Sequence, residues 1–322
     1  MVGDAMLDVY VRGDADRVSP EAPVPVVRVR ERRDALGGAA NVAQNVCALG
    51  QPCTIVAAAG DDPSGRRLRE LLVATSHCTP SLVTVQRPTT TKTRILARAQ
   101  QLLRLDDEDD ADLAPPDAAR LVDAAIAAID GANAVVLEDY NKGVLTPPVI
   151  SAVLKRAAER NVPVVVDPKY RHFFAYRGAR IFKPNRRELE AALGAAVDLD
   201  HPEALRQVLD RLGCDTLLLT RGEHGMTLIS SGTRLDIPTT ARDVYDVVGA
   251  GDTVTAYLAV MLAAGATVSE AAIVANFAAG VQVGKVGAQV VTAAEVLDAY
   301  QAAGDEKTKL QKTRRREDEK TR

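Results

Sequence analysis

Asp246-Val-Val-Gly249-Ala250-Gly251-Asp252-Thr253 is the stretch on which the reading of this chain turns. An apolar segment of helical length, Thr253–Ala264, follows at once. Gly249 and Gly251 have no side chain, so the backbone can turn sharply there and approach a ligand closely. The N–H groups at a helix start point outward at the positive end of its dipole. That makes an anion site suited to a phosphate that gains charge during transfer. Asp252, in the same turn, is placed to accept a proton from an attacking hydroxyl. A glycine turn with Asp as a plain helix cap would read the same way in isolation.

The surrounding chain alternates strand-length apolar runs with amphipathic stretches. Cys53–Ala58, Ala134–Leu137, Val162–Val166 and Thr216–Leu219 read as buried strands. Ala39–Leu49, Ser64–Ala74, Pro116–Ile129, Pro147–Arg160 and Pro202–Leu212 read as helices between them. Strands that are apolar throughout point to a parallel sheet covered on both faces. Val24–Val29, Leu82–Val85 and Thr91–Leu105 break the rhythm with Thr, Arg and Pro at strand-like spacing. They predict a separate, half-exposed β layer, with segments near 9–30 and 82–105, serving as a lid at the strand ends.

The composition is that of an ordinary globular protein: net charge −3, 26% charged and only 3% aromatic, with no Trp. This argues against a polyanion binder and against base stacking on nucleic acid. No apolar run approaches the roughly 18 residues of a spanning helix. The four cysteines (Cys47, Cys53, Cys78, Cys214) form no CxxC pair, which suits idle thiols in a reducing cytosol. Residues 1–303 are expected to form one domain. From Gly304 to Arg322, 13 of 19 residues are charged, eight basic and five acidic, and a solvated tail is expected. Gly3–Asp4 reads as the end of a buried strand although only Met1 and Val2 precede it. A central strand usually runs about five residues, so the reading expects a start truncated relative to the native gene.

Further clusters suit a sugar site. Asp8, near the end of the first strand, has a carboxylate that can fix two hydroxyls, or it is a turn acid. Gly37-Gly38 opens a helix and admits a close approach, or serves tight packing. Asn41 beyond it offers a donor and an acceptor. Lys92 and Arg94 share strand parity, and with Arg104 they form a cationic face for a distal phosphate. Basic strand faces also serve solubility. Lys142 and Lys169 follow strand ends, where open α/β sheets bind ligands.

The Gly249–Asp252 element, Gly37-Gly-Ala-Ala-Asn41 and the α/β order resemble the ribokinase-like (PfkB) carbohydrate kinases over nearly the whole chain. Several strings are similar, within that family, to the D-glycero-β-D-manno-heptose 7-phosphate kinase domain. They include Ser19-Pro-Glu-Ala-Pro-Val-Pro25, Gln100-Gln-Leu-Leu-Arg-Leu-Asp106, Asp139-Tyr-Asn-Lys-Gly143, Asp167-Pro-Lys169 and Lys183-Pro-Asn185. Glu138 and Asn141 depart from the family's usual Asp-Tyr-Gly-Lys-Gly version.

The resemblance implies a three-layer α/β/α sandwich with a mostly parallel sheet and a small β lid. It implies ATP-dependent phosphorylation of a sugar phosphate to the 1,7-bisphosphate, toward ADP-heptose and lipopolysaccharide core, with Mg²⁺ on the phosphates. Asp252 would be the base, and Gly249, Ala250 and Gly251 would hold the transferred charge. Asp8, Gly37, Gly38, Asn41, Lys92, Arg94, Arg104, Asp139 and Lys142 would hold the sugar phosphate. Lys169, Asn185, Glu188, Thr220, Arg221, Gly222, Gly225 and Asn276 would hold ATP, with Glu188 organising Mg²⁺ through water. Asn276 is expected to begin a helix near the adenine, and His224 to be an exposed turn residue. A cytoplasmic homodimer joined through the lids is implied, with no nucleic-acid or membrane partner; the nucleotidyltransferase often fused to this kinase is expected on another polypeptide, or the charged tail is a severed linker. A dinucleotide enzyme lacks its G-x-G-x-x-G here, and a P-loop kinase its G-x-x-x-x-G-K-[ST]. A kinase of another sugar, or a silent sugar-binding relative, stays open.

Overall fold

The computed structural model describes residues 1–98, 100–231, 233–241 and 244–304. In chain order its first elements are β1 (Val2–Gly3), β2 (Ala5–Val18), β3 (Pro25–Gly38), α1 (Ala39–Ala48), β4 (Cys53–Gly60), α2 (Pro63–Ala74) and β5 (Cys78–Val85). Next come β6 (Thr91–Ala97), β7 (Gln100–Asp107), α3 (Pro115–Ile129), β8 (Val135–Glu138), α4 (Pro147–Glu159), β9 (Val164–Asp167) and β10 (Ile181–Phe182). The last are α5 (Arg186–Leu193), α6 (Pro202–Leu212), β11 (Thr216–Thr220), β12 (Met226–Ser230), β13 (Thr233–Ile237), α7 (Ala250–Ala263) and α8 (Val268–Gln282). A helical segment, 293–304, follows; the expected charged tail otherwise lies outside the described residues.

Nine strands form the main sheet in the order β13-β12-β11-β10-β9-β8-β1-β4-β5. It is parallel from β5 to β11, and antiparallel where β12 and β13 close one edge. Alternation along each strand builds the layers. Val135 and Leu137 of β8 pack on the α3–α4 side with Leu121 and Ile150. Val136 points the other way, into a core with Leu258 of α7 and Ala275 of α8. Because both faces are covered, neither phase of the strand can be polar, as its apolar run predicts. No helix among the described residues is long and apolar enough to cross a membrane.

The second sheet has the order β3-β2-β6-β7. It is the expected lid, with different membership. Leu82–Val85 does not belong to it: these residues sit in β5, which pairs in parallel with β4 over eight positions. The half-exposed pattern that suggested a lid is that of an edge strand, with Val83 and Val85 buried and the alternate Thr84 exposed. The lid instead draws on the whole of β2 and β3. Asp4 alone separates β1 from β2, and α1 begins directly after Gly38.

Candidate active site

Polar groups collect where the parallel strands end. β8 ends at Glu138 and β9 at Asp167, while Asp4 follows β1 and Lys183 follows β10. All four are buried. Ligands of open α/β sheets bind at this edge.

α7 starts above them. Its N-cap, Gly249, has φ 83°, and no side chain caps the helix, so the first-turn N–H groups remain available to a ligand. A Cβ on Gly249 would lie 3.1 Å from the Ala288 Cβ, a tight fit in a left-handed conformation. A Cβ on Gly251 would meet nothing nearer than Lys183 Nζ at 3.7 Å. The helix start is thus an open cradle of a kind that fits a phosphate group. Asp252, one residue on, is 6% exposed. Its Oδ1 accepts from the Tyr140 hydroxyl at 2.6 Å and its Oδ2 from Asn41 Nδ2 at 2.6 Å. Burial pushes the Asp252 carboxyl up to about 6, against the pull of those two donors. A carboxylate fixed at both oxygens and poised near neutrality suits a general base.

The cations of the floor are paired. Lys183 Nζ donates to Asp167 Oδ2 at 2.7 Å. Burial alone would lower its pKa, but Asp167 and Glu138 together outweigh that and raise it. Lys169 Nζ meets Glu188 Oε1 at 2.5 Å. Glu188 also closes a capping box with Asn185 at the start of α5, so it serves as a helix cap and as an acid facing the site.

The loop after β8 is held from beneath. Asp4 accepts backbone N–H bonds from Tyr140, Lys142 and Val144, at 2.8, 3.0 and 3.1 Å. Burial, then the charge of Asp139, raises the Asp4 carboxyl to about 6 despite them. Asp139 accepts from Asn141 N and from the Tyr176 hydroxyl, both at 2.7 Å. Expected to touch the sugar, it has both oxygens engaged in bracing this loop.

The lid brings its expected residues to one face. Asp8, Lys92, Arg94 and Arg104 fall on matching positions across β2, β6 and β7. Arg94 Nη1 meets Asp8 Oδ1 at 2.7 Å and lies over the Tyr10 ring. Arg104, half exposed, pairs with Asp106 at 2.8 Å. Lys92 reaches Asp106 and Glu108, and Glu108 in turn bonds Lys142 at 2.7 Å, tying the lid to the floor loop. A Cβ on Gly37 would come 2.8 Å from Asp8 Oδ2 and from Met6 Cγ, so a larger residue there would have to displace these side chains.

On the nucleotide side, Thr220–Gly225 forms the turn from β11 to β12, with Gly222 and Gly225 at positive φ. Arg221 bonds the His224 carbonyl and faces Asp236. His224 is exposed, as expected. Asn276 does not begin a helix. It lies inside α8, and its Nδ2 donates to the Pro238 carbonyl at 2.8 Å, bracing the segment after β13. The small residues around it suggested a helix start, but the capping box is at Thr267 and Glu270.

Sequence reasoning did not single out Tyr140, Asp4, Glu138, Asp167, Lys183 and Glu108 as site residues. A signal existed for two of them: Glu138 and Asp167 are acids that directly end a strand-length apolar run.

The family model described as "pfkB family carbohydrate kinase" matches residues 1–294. The chain is 48% identical over 303 residues to "Bifunctional protein HldE" of Rhodospirillum rubrum, covering 92% of this chain and 61% of that protein. It is 44% identical over 307 residues to "Bifunctional protein HldE" of Pelobacter propionicus, covering 94% and 63%. The chain thus spans about three-fifths of the length of these relatives. Among solved structures, Escherichia coli phosphofructokinase-2 in complex with fructose-6-phosphate superposes with TM-score 0.76 at 16% identity, covering 94% and 98% of the two chains. Ribokinase from Thermotoga maritima gives 0.71 at 22%, covering 93% and 98%. The sheet order and lid are therefore those of the ribokinase-like fold, and the family match extends through β1, the lid and α7. The chain belongs to the pfkB family of carbohydrate kinases.

Proposed function

We propose that this chain phosphorylates the anomeric hydroxyl of D-glycero-β-D-manno-heptose 7-phosphate, using ATP, on the way to ADP-heptose. The observation that carries the reading is the pairing of two features: a buried, doubly hydrogen-bonded Asp252 at an uncapped helix start, and three cations on one lid face. Asp252 takes the hydroxyl proton as the oxygen attacks. The amides of Gly249, Ala250 and Gly251 bear the charge that develops on the moving phosphoryl group. Asp8 and Asn41 orient the sugar, and Lys92, Arg94 and Arg104 face its distal phosphate.

Lys169, Asn185, Glu188, Thr220, Arg221, Gly222, Gly225 and Asn276 line the proposed nucleotide side. Glu188 and Asp167 offer the hard oxygens that Mg²⁺ prefers, and Glu188 would hold it through water. When bound, Mg²⁺ neutralises charge on the ATP phosphates. The outer lid face presents Leu103 and Leu105 half exposed, which supports a homodimer through the lids. A nucleotidyltransferase acting on the product is a separate unit in this reading. The partners are small molecules, in the cytoplasm.

ADP release measured over a panel of sugar phosphates and free sugars tests the reading. Heptose 7-phosphate is expected to give the highest kcat/KM. A higher value with an unphosphorylated sugar overturns the assignment.

A further inference from the structure

Three of the four cysteines, distant in the chain, meet in the fold. Cys47 lies near the end of α1, Cys53 opens β4 and Cys78 opens β5. β4 and β5 pair in parallel with Cys53 opposite Cys78, so both side chains leave the sheet on one face. Cys47 and Cys53 belong to the apolar core on that face, and Cys78 packs against it. The Cys47 thiol is in hydrogen-bonding contact with the thiols of both.

Exposure separates the three: Cys47 and Cys53 are buried, and Cys78 is partly exposed. Cys214 is partly exposed too, but it stands just before β11, outside the cluster. Burial pushes the Cys214 thiol up to about 12. The Cys47 S–H, donated to the Cys78 sulfur, lowers the Cys78 pKa instead. The thiolate is the reactive form, so two partly exposed cysteines differ in what a neighbouring thiol does to them. A soft cation held by three thiolates would need all three sulfurs close to one another. That mutual approach is not met by this cluster among the described residues. Pairwise sulfur contact suits a disulfide.

We propose that Cys78 and Cys47 form a peroxide-sensitive thiol pair, in which Cys78 takes the oxygen and Cys47 resolves it. In the first step the Cys78 thiolate attacks hydrogen peroxide. An S–O bond forms, the O–O bond breaks, and the departing hydroxide takes up a proton as water. The sulfur is oxidised by two electrons and the peroxide reduced by two. In the second step the Cys47 sulfur attacks the Cys78 sulfur. An S–S bond forms, the S–O bond breaks, and hydroxide leaves as water with the Cys47 proton. A dithiol reductant reverses the bond by exchange. The disulfide ties the end of α1 to β5, in the helix whose first turn gives Asn41 to Asp252. The inference is independent of which sugar the chain acts on.

The test uses the full chain, reduced and then exposed to hydrogen peroxide, with free thiols alkylated and the peptides read by mass spectrometry. A Cys47–Cys78 pair within one chain is expected, reversed by dithiothreitol. Cys214 should lose its free thiol at least about tenfold more slowly than Cys78. Cys47→Ser should leave Cys78 as a sulfenic acid trapped by dimedone, and Cys53→Ser should leave the Cys47–Cys78 pair intact. Should Cys47→Ser fail to fold, Cys47→Ala takes its place with the same expectation. Absence of the pair in the unaltered chain, or a pair only between two chains, overturns the proposal. A Cys53–Cys78 pair in its place also overturns it, because Cys47 is then a bystander. So does oxidation of Cys214 as fast as that of Cys78, since exposure alone would then set reactivity.

Discussion

The floor and the lid both carry ion pairs, but water treats them differently. On the floor, the Lys183 and Asp167 side chains are 4% and 10% exposed, and Asp252 sits beside them with both oxygens bonded. On the lid, Arg94 and Asp8 are still only 16% and 9% exposed, but on the outer strand β7 Arg104 is 51% exposed, and its partner Asp106 is on its own strand. Desolvated charges interact strongly and are screened little by salt, whereas exposed pairs are worth about 0–1 kcal/mol and fade with ionic strength. The floor is therefore suited to chemistry, where one misplaced charge is costly. The lid is suited to exchange: Asp106 and Glu108 hold Lys92 and Arg104, Asp8 holds Arg94, and in the proposed reading a phosphate displaces these partners.

The sharpest way to break this contrast is Asp252→Asn, which keeps the shape and removes the proton acceptor. A fall in kcat of about 10²–10⁴ is expected, with KM for ATP little changed. The same loss should appear at low and high salt. Near-normal turnover would remove Asp252 from the chemistry and the floor from its special status.

Asp4 tests whether burial governs the floor. The folded chain keeps this proton up to about pH 6, while an ordinary aspartate releases it near 3.8. Between those values the native state binds more protons, so stability falls as pH rises. The loss is complete above pH 6, at about 3 kcal/mol from this group. Asp4→Asn should flatten that part of the profile, read from denaturant midpoints between pH 4 and 7. Parallel profiles for the two proteins would contradict the assignment.

Arg104→Ala sharpens the lid side. KM for the sugar phosphate should rise roughly tenfold to a hundredfold, about 1.5–3 kcal/mol, with KM for ATP steady. Unlike the floor effect, this one should shrink as salt is added. An unchanged sugar-phosphate KM would make the lid cations solubility residues. The smallest effect belongs to His224, exposed in the β11–β12 turn. His224→Ala should alter stability and turnover by less than about 0.5 kcal/mol, and a larger fall in turnover would add a catalytic group outside the floor.

The strands that run apolar on both phases were legible because burial on two sides leaves no other pattern. Cys53–Ala58 and Val162–Val166 appear as β4 and β9 for that reason. β5 was misread because an edge strand and a lid strand present the same half-exposed alternation, and only pairing with β4 separates them. The Asp252 helix start and the lid cations were readable from local chemistry. Tyr140 and Lys183 were not. Tyr140 acts across 112 residues of sequence, and Lys183 matters through a pair with Asp167, two β-strand ends brought together by β9–β10 pairing.

The chain passes from β1 into β2 through Asp4 alone, and from β3 into α1 with nothing between Gly38 and Ala39. At that seam a Cβ on Gly38 would come 2.4 Å from the Asp4 carbonyl, which in turn accepts from Ala39 N at 3.0 Å. Two such slackless joints side by side make a hinge line. A swing of the small sheet about it would carry Asp8 and Gly37 relative to Asn41 on α1. In the proposed reading Asp8 and Asn41 hold one sugar from the two sides of this seam, so the seam fixes the spacing between those two contacts.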